Sequence, residues 1–204
     1  MSIKRKYDSS LRAERAAETR LRIQKTARKL LAANGFDGTT VSAIAAEAGV
    51  SPQTVYSVFG SKGAIVAEMM THLEQEAGED GVAEALLAES DPRIQLKIFV
   101  AWIRKLFTMS ADVFVVVLQS PNQPDMATMI QEGNARRLGG CRFLTEQWAE
   151  RDAIRGGMKS GTAAEQLWLL TSVETYLSCV NTLGWSPDQY EEWVYNTAER
   201  LLFR

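Results

Sequence analysis

Residues 40–62 read TVSAIAAEAGVSPQTVYSVFGSK. Thr40 is a residue type that caps helix starts. Val41, Ile44, Ala45 and Ala48 follow at i, i+3, i+4 and i+7, the apolar face of a short helix. Gly49 ends that helix. Ser51-Pro52 opens the next, with serine as N-cap and proline at the first helical position, and Gly60 stops it. Small Ala45 stands where a partner helix must approach closely, and Val50 and Val55 are the apolar residues that pin the second helix to the first. Gln53, Thr54, Tyr56 and Ser57 are left outward. Many helical bundles have tight corners of this kind, so the corner alone does not decide its use.

The outward residues suit one use. Glutamine can make two hydrogen bonds to an adenine edge, and threonine can bond a base or touch a thymine methyl. Ser51 and Pro52 lead the second helix, and Tyr56 can reach a phosphate through its hydroxyl. Ser61-Lys62 joins a lysine to a helix N-terminus, both of which attract phosphate, and Thr40 stands at another helix start. The charge distribution agrees. The chain as a whole carries −2, but residues 1–62 hold eleven Lys/Arg against five Asp/Glu, and residues 63–204 hold twelve against twenty. A basic head on an acidic body is expected where one end meets a polyanion.

Working outward, residues 1–18 are basic and lack an apolar stripe, which reads as a flexible arm. Ile23, Ala27, Leu30 and Leu31 form the first helical face from near Thr19, ended by Asn34-Gly35. Ser61 caps a fourth helix carrying Ile65, Met69 and Leu73, with His72 packed at the junction to the body. Residues 74–84, acidic with two glycines, read as a loosely ordered stretch. Asp91-Pro92 opens a helix through Phe107, and 113–118 reads as a separate short buried helix. Further helices are expected over 124–151, 162–183 and 187–203. The class is all-α, about nine helices. Residues 19–65 read as a three-helix helix-turn-helix head, expected to be the DNA-binding domain, and 66–204 as a helical-bundle body.

Other functions find little support. With 46% hydrophobic and 24% charged residues, the 204-residue chain can bury a core and is not a disordered polyelectrolyte. One histidine and two distant cysteines, Cys141 and Cys179, offer no metal spacing and no disulfide framework, and both thiols read as structural. Catalytic spacings and phosphate-cradling loops are missing, so neither an enzyme nor a cofactor is expected. The polar N-terminus is not a secretory signal, and the longest apolar run, 113–118, is too short for a membrane span. A cytoplasmic location follows as an expectation. The alternative is a helical interaction protein whose basic arm meets an acidic partner or a membrane surface, although the arm lacks the apolar face that insertion needs.

The run 36–41 (FDGTTV), then Ile44-Ala45, Ala48-Gly49-Val50-Ser51, Thr54-Val55-Tyr56 and Phe59-Gly60-Ser61-Lys62, resembles the DNA-binding head of the tetracycline-repressor (TetR) family over about residues 19–70. A weaker similarity lies in Leu183-Gly184-Trp185-Ser186-Pro187 with Tyr190 and Trp193. One departure is Val58, where such heads usually carry a polar ring. The resemblance implies a homodimer paired through its last two long helices on a palindromic operator. It further implies a repressor that releases DNA when a small molecule enters the body.

The body's own pattern supports a dimer. Leu167, Leu170, Leu177 and Val180, with Trp193 and Leu201 on the last helix, make helices apolar over most of their circumference, which must bury several sides. Trp102, Phe107, Phe114 and Trp168 are candidate pocket residues, though such stripes are more often plain core. Glu174 is an acid in an apolar helix. It reads as exposed or paired with Arg136, Arg137 or Arg142, or else as facing a cationic or hydrogen-bonding ligand.

Overall fold

The computed structural model describes residues 3–204, with side chains from Ser10 onward. The first helix, α1 (Ile3–Asn34), starts well before the expected Thr19. Residues 10–18 are mostly Leu, Ala, Arg and Glu, strong helix formers. Residues 12–18 of this extension carry no apolar stripe and are exposed, and among the described residues the first buried side chain is Ile23. Met1 and Ser2 of the expected arm lie outside the described residues.

The head follows its local signals. Thr40 Oγ1 accepts from the Ala43 N–H at 3.1 Å and caps α2 (Val41–Ala48). Gly49 takes φ 67°, a left-handed conformation that a side chain would oppose, and this turns the chain so that Val50 N–H reaches the Ala45 carbonyl at 3.0 Å. Ser51 caps α3 (Pro52–Phe59), and Ser61 caps α4 (Lys62–Ala77).

In the body, three expectations change. Gly78, at φ 90°, separates α4 from α5 (Glu79–Ala88), so the acidic stretch is helical on both sides of one turn. Residues 113–118 are no separate helix but the last turns of α6 (Pro92–Leu118), where Val113, Val116 and Val117 are buried in the head core. Tertiary burial there overrides the β preference of the valines. After α7 (Pro124–Glu150), the single helix expected over 162–183 is broken. It becomes α8 (Ser160–Leu170) and α9 (Val173–Leu177), the latter continuing as a π turn over Ser178–Thr182. Thr171 Oγ1 donates to the Leu167 carbonyl at 2.7 Å, and Ser172 Oγ accepts from Thr175 N–H at 3.0 Å as a new cap. No glycine or proline marks this break. The chain closes with α10 (Pro187–Leu202), opened by a Ser186/Gln189 capping box.

Two cores result. The head core gathers Ile23, Ile44, Val55 and Ile65 with Val116 of α6 and Met126 of α7. The body core gathers Leu96, Ile103, Leu144, Trp148, Tyr190 and Leu202. α6 contributes to both, so the two ends share one rigid rod. The body core also buries a polar group: Gln95 Nε2 donates to the Leu86 and Glu89 carbonyls at 2.8 and 2.9 Å, and its Oε1 accepts from Trp148 Nε1 at 2.7 Å.

Candidate nucleic-acid interface and body cavity

α3 has two sides. Val55 and Phe59 are buried in the head core. Ser51, Pro52, Gln53 and Ser57 are exposed, and Tyr56 keeps half of its surface free. Thr54 is half-buried, with Oγ1 2.9 Å from Ser51 Oγ. Thr40 is exposed at the start of α2, and since its oxygen accepts the cap bond its O–H proton remains able to donate. The expected outward set of α3 thus shares one polar edge, with Thr54 partly withdrawn from it.

Lys62 stands elsewhere than expected. Its Nζ donates to the carbonyls of Phe36 and Thr39, the latter at 2.7 Å, and lies 3.9 Å from the centre of the Phe36 ring. Burial holds its pKa below the ordinary lysine value. The Asp125 carboxylate of α7 occupies the same helix start, accepting from Ser61 Oγ at 3.3 Å. A phosphate at that end of α4 would meet Asp125. Lys62 instead fastens the α1–α2 turn to α4, because side chains in a helix lean back toward its N-terminus and this fold places carbonyls there.

Several bases of α1 are also engaged within the molecule. Arg20 pairs with Glu68, and that bond holds the Glu68 carboxyl below its usual range. Arg28 pairs with Asp112 of α6 at 2.8 Å, Lys29 with Glu47 at 2.7 Å, and Arg22 Nε donates to the Ala48 carbonyl at 2.9 Å. Arg12, Arg15 and Lys25 remain exposed outside these pairs. The head's positive field toward a polyanion is therefore weaker than a count of bases implies. His72 is exposed rather than packed.

Head and body are joined at the start of α7 as well. Gln123 Nε2 donates to Asp37 Oδ1 at 2.7 Å, Met126 is fully buried in the head core, and Asp125 lies directly over Gly63. These contacts have no local sequence signature.

Between α4, α5, α6 and α7 lies a cavity of about 370 Å³ with mostly apolar walls. Trp102, Phe107 and Phe114 of α6 line it, and so does Glu174 of α9, which is exposed. Trp168 is not among its walls; its ring lies 4.5 Å beneath the Arg137 guanidinium. Arg137, which sequence reasoning named only as a partner for Glu174, lines the cavity itself. A signal for it existed: Arg137, Cys141, Leu144 and Trp148 fall at i, i+4, i+7 and i+11, which puts the arginine on the buried stripe of α7.

Of the expected dimer residues, Leu167 is fully buried within one chain and cannot face a partner. It shares the buried face of α8 with Ala163 and Ala164, inside the body core. Leu170, Leu177, Val180, Trp193 and Leu201 are partly exposed at the edge of that core. An open groove along α10 holds Trp193 beside Trp185, ring centres 5.7 Å apart. Cys141 is buried, and desolvation pushes its thiol up to about 11; Cys179 is also buried and raised, for the same cause.

α2 and α3, joined at Gly49, have the architecture of a helix-turn-helix DNA-binding head. Residues 23–69 match the family described as bacterial regulatory proteins, tetR family. The chain carries that family's head and, along nearly all its length, the fold of its solved members. NalD of Pseudomonas aeruginosa, described as the secondary repressor of the MexAB-OprM multidrug efflux pump, superposes with a TM-score of 0.78 at 22% identity, covering 94% of this chain and 98% of NalD. A Saccharomonospora viridis protein in complex with choline, described as a transcriptional regulator, gives 0.73 at 22% identity over 92% and 99%. SmeT, in a complex with triclosan, gives 0.76 at 16% identity over 92% of both chains. No curated protein matches the chain in sequence. Among the described residues, no helix is long and apolar enough to cross a membrane.

Proposed function

We propose that the protein is a homodimeric repressor that binds a palindromic operator through residues 19–65 and leaves it when a small molecule enters the body, residues 66–204. The observation that carries the reading is the free polar edge of α3, with Gln53, Tyr56 and Ser57 exposed while Val55 and Phe59 anchor the helix. Gln53 and Thr54 read bases. Ser51, Tyr56, Ser57 and Thr40 contact the backbone, and Lys62 positions the head rather than touching phosphate. The partly exposed apolar edge at Leu170, Leu177, Val180, Trp193 and Leu201, with the open groove on α10, supports pairing of two copies there.

The mechanism is geometric. Two recognition helices must meet successive major grooves about 34–36 Å apart. The cavity touches Met70 of α4 and Met129 of α7, the helices whose starts grip the head through Ser61 and Asp125. A molecule that fits only one arrangement of these helices shifts the spacing, by no more than its differential affinity for the two arrangements. The choline and triclosan complexes of similar folds support a ligand in this kind of body.

The test is selection of fragments bound by the purified protein from its source genome, followed by footprinting. A protected inverted repeat, bound by two chains, is the expected result. Failure to hold any duplex at low ionic strength sinks the reading.

A further inference from the structure

The cavity walls are apolar except where charged residues of α4, α5, α7 and α9 reach them, and one of those charges stands apart. Among the described residues, arginines without a carboxylate partner, such as Arg22, Arg151 and Arg155, lie exposed, whereas Arg137 is drawn inward. Its Nη1 donates to the Trp168 carbonyl at 2.5 Å and lies 3.4 Å from Thr171 Oγ1; Nη2 lies 3.5 Å from Asn134 Oδ1. The group stacks on the Trp168 ring. These neutral oxygens fix its position at the C-terminal end of α8, whose dipole supplies about half a negative charge. They do not cancel the rest, and burial lowers its pKa accordingly.

The acids on the walls leave this charge standing. Glu74 is held by both ends of Arg136, at 2.8 and 3.1 Å. Glu79 acts on that same Arg136 guanidinium. Glu174 is exposed and makes neither hydrogen bond nor ion pair with Arg137, although its charge is felt there. A desolvated charge without a counterion is costlier than a solvated one, so the cation, not Glu174, decides what the cavity favours.

We propose that the cavity takes an apolar molecule ending in a carboxylate, with the carboxylate on Arg137 and the apolar body against Trp102, Phe107 and Phe114. The volume of about 370 Å³ lies within the roughly 300–1,000 Å³ of small-molecule sites. The assignment rests on the reading of this cavity as the effector site.

The probes are decanoate and 4-butylbenzoate, each beside its matched alcohol and its matched trimethylammonium. Binding to the full chain is followed by quenching of tryptophan fluorescence, without DNA. At least one carboxylate should bind about ten- to a hundredfold tighter than its alcohol, the range for a charge-assisted bond. Arg137→Gln, which keeps a donor for the Trp168 carbonyl, should erase that preference, and Arg137→Lys should retain part of it. Three results overturn the proposal: neither carboxylate binds in the millimolar range, the trimethylammonium compounds bind best, or Arg137→Gln leaves the preference intact. Should both variants fail to fold, the ranking on the wild-type chain decides by itself. Release of DNA is measured separately. Carboxylate binding through Arg137 without release leaves the ligand class standing and removes the effector reading. Release by the cations alone does the reverse.

Discussion

Gly63→Ala offers a test of the grip between head and body whose sign is opposite to the local expectation. Alanine is the better helix former by about 0.8–1 kcal/mol, so in the first turn of α4 the change should stabilise by up to that amount. The structure denies it room. A Cβ at Gly63 would lie 1.9 Å from Asp125 Oδ2 and 2.5 Å from both Cβ and Cγ of Asp125. Ordinary carbon contacts are about 3.5–4.0 Å. A new rotamer moves the carboxylate but not the Asp125 Cβ, so the first turn of α7 must shift. Overpacking of this kind costs about 1–3 kcal/mol. The shift also weakens the Ser61–Asp125 bond, worth about 0.5–1.5 kcal/mol. The net expectation is a loss of about 1–2 kcal/mol in the wild-type background and a gain of up to ~1 kcal/mol when Asp125 is glycine. The coupling between the two sites is then about 1–3 kcal/mol. Urea denaturation of the four variants at one fixed protein concentration measures it. Equal effects of Gly63→Ala in both backgrounds would refute the packing described for this joint.

Other perturbations probe separate parts. Gln95→Leu orphans the buried Trp148 indole N–H and two part-buried carbonyls at the edge of the body core. At about 1–3 kcal/mol for the buried group, and less for each part-buried one, it should cost at least ~1 kcal/mol in denaturation, and an unchanged stability contradicts the network. Lys62→Ala should lower the stability of the head while leaving the salt dependence of DNA binding unchanged; a phosphate contact there would reduce the log–log slope by about one. Gln53→Ala should change the preferred operator at about one base-pair position per half-site, read by sequence selection, rather than weaken all sequences alike. Glu68 is held below its ordinary carboxyl value of 4.5 by Arg20. Its stabilising contribution is therefore complete above that value and fades as pH falls through the lowered one. Glu68→Gln should destabilise at neutral pH and flatten the acid limb of the stability profile, and an unchanged limb argues against the pair.

What the sequence determined by itself is local. The caps Thr40, Ser51 and Ser61, the left-handed turn at Gly49 and the i, i+3, i+4 spacing of Val41, Ile44 and Ala45 act within a few residues of chain, so the head is legible without coordinates. The same short-range signals place the ends of α7 and the start of α10. Tertiary structure decided the rest. It turned Lys62 inward onto the carbonyls of a turn 23–26 residues earlier, and it paired Arg20, Arg28 and Lys29 with distant acids. It carried α6 through its valine run, broke the helix at Thr171 without glycine or proline, buried Leu167, and left Arg137 at a cavity wall without a counterion. The reason is common to these cases. Which partner a long side chain finds, and which face of a helix is covered, depends on elements far away in the chain, whose approach no local periodicity encodes.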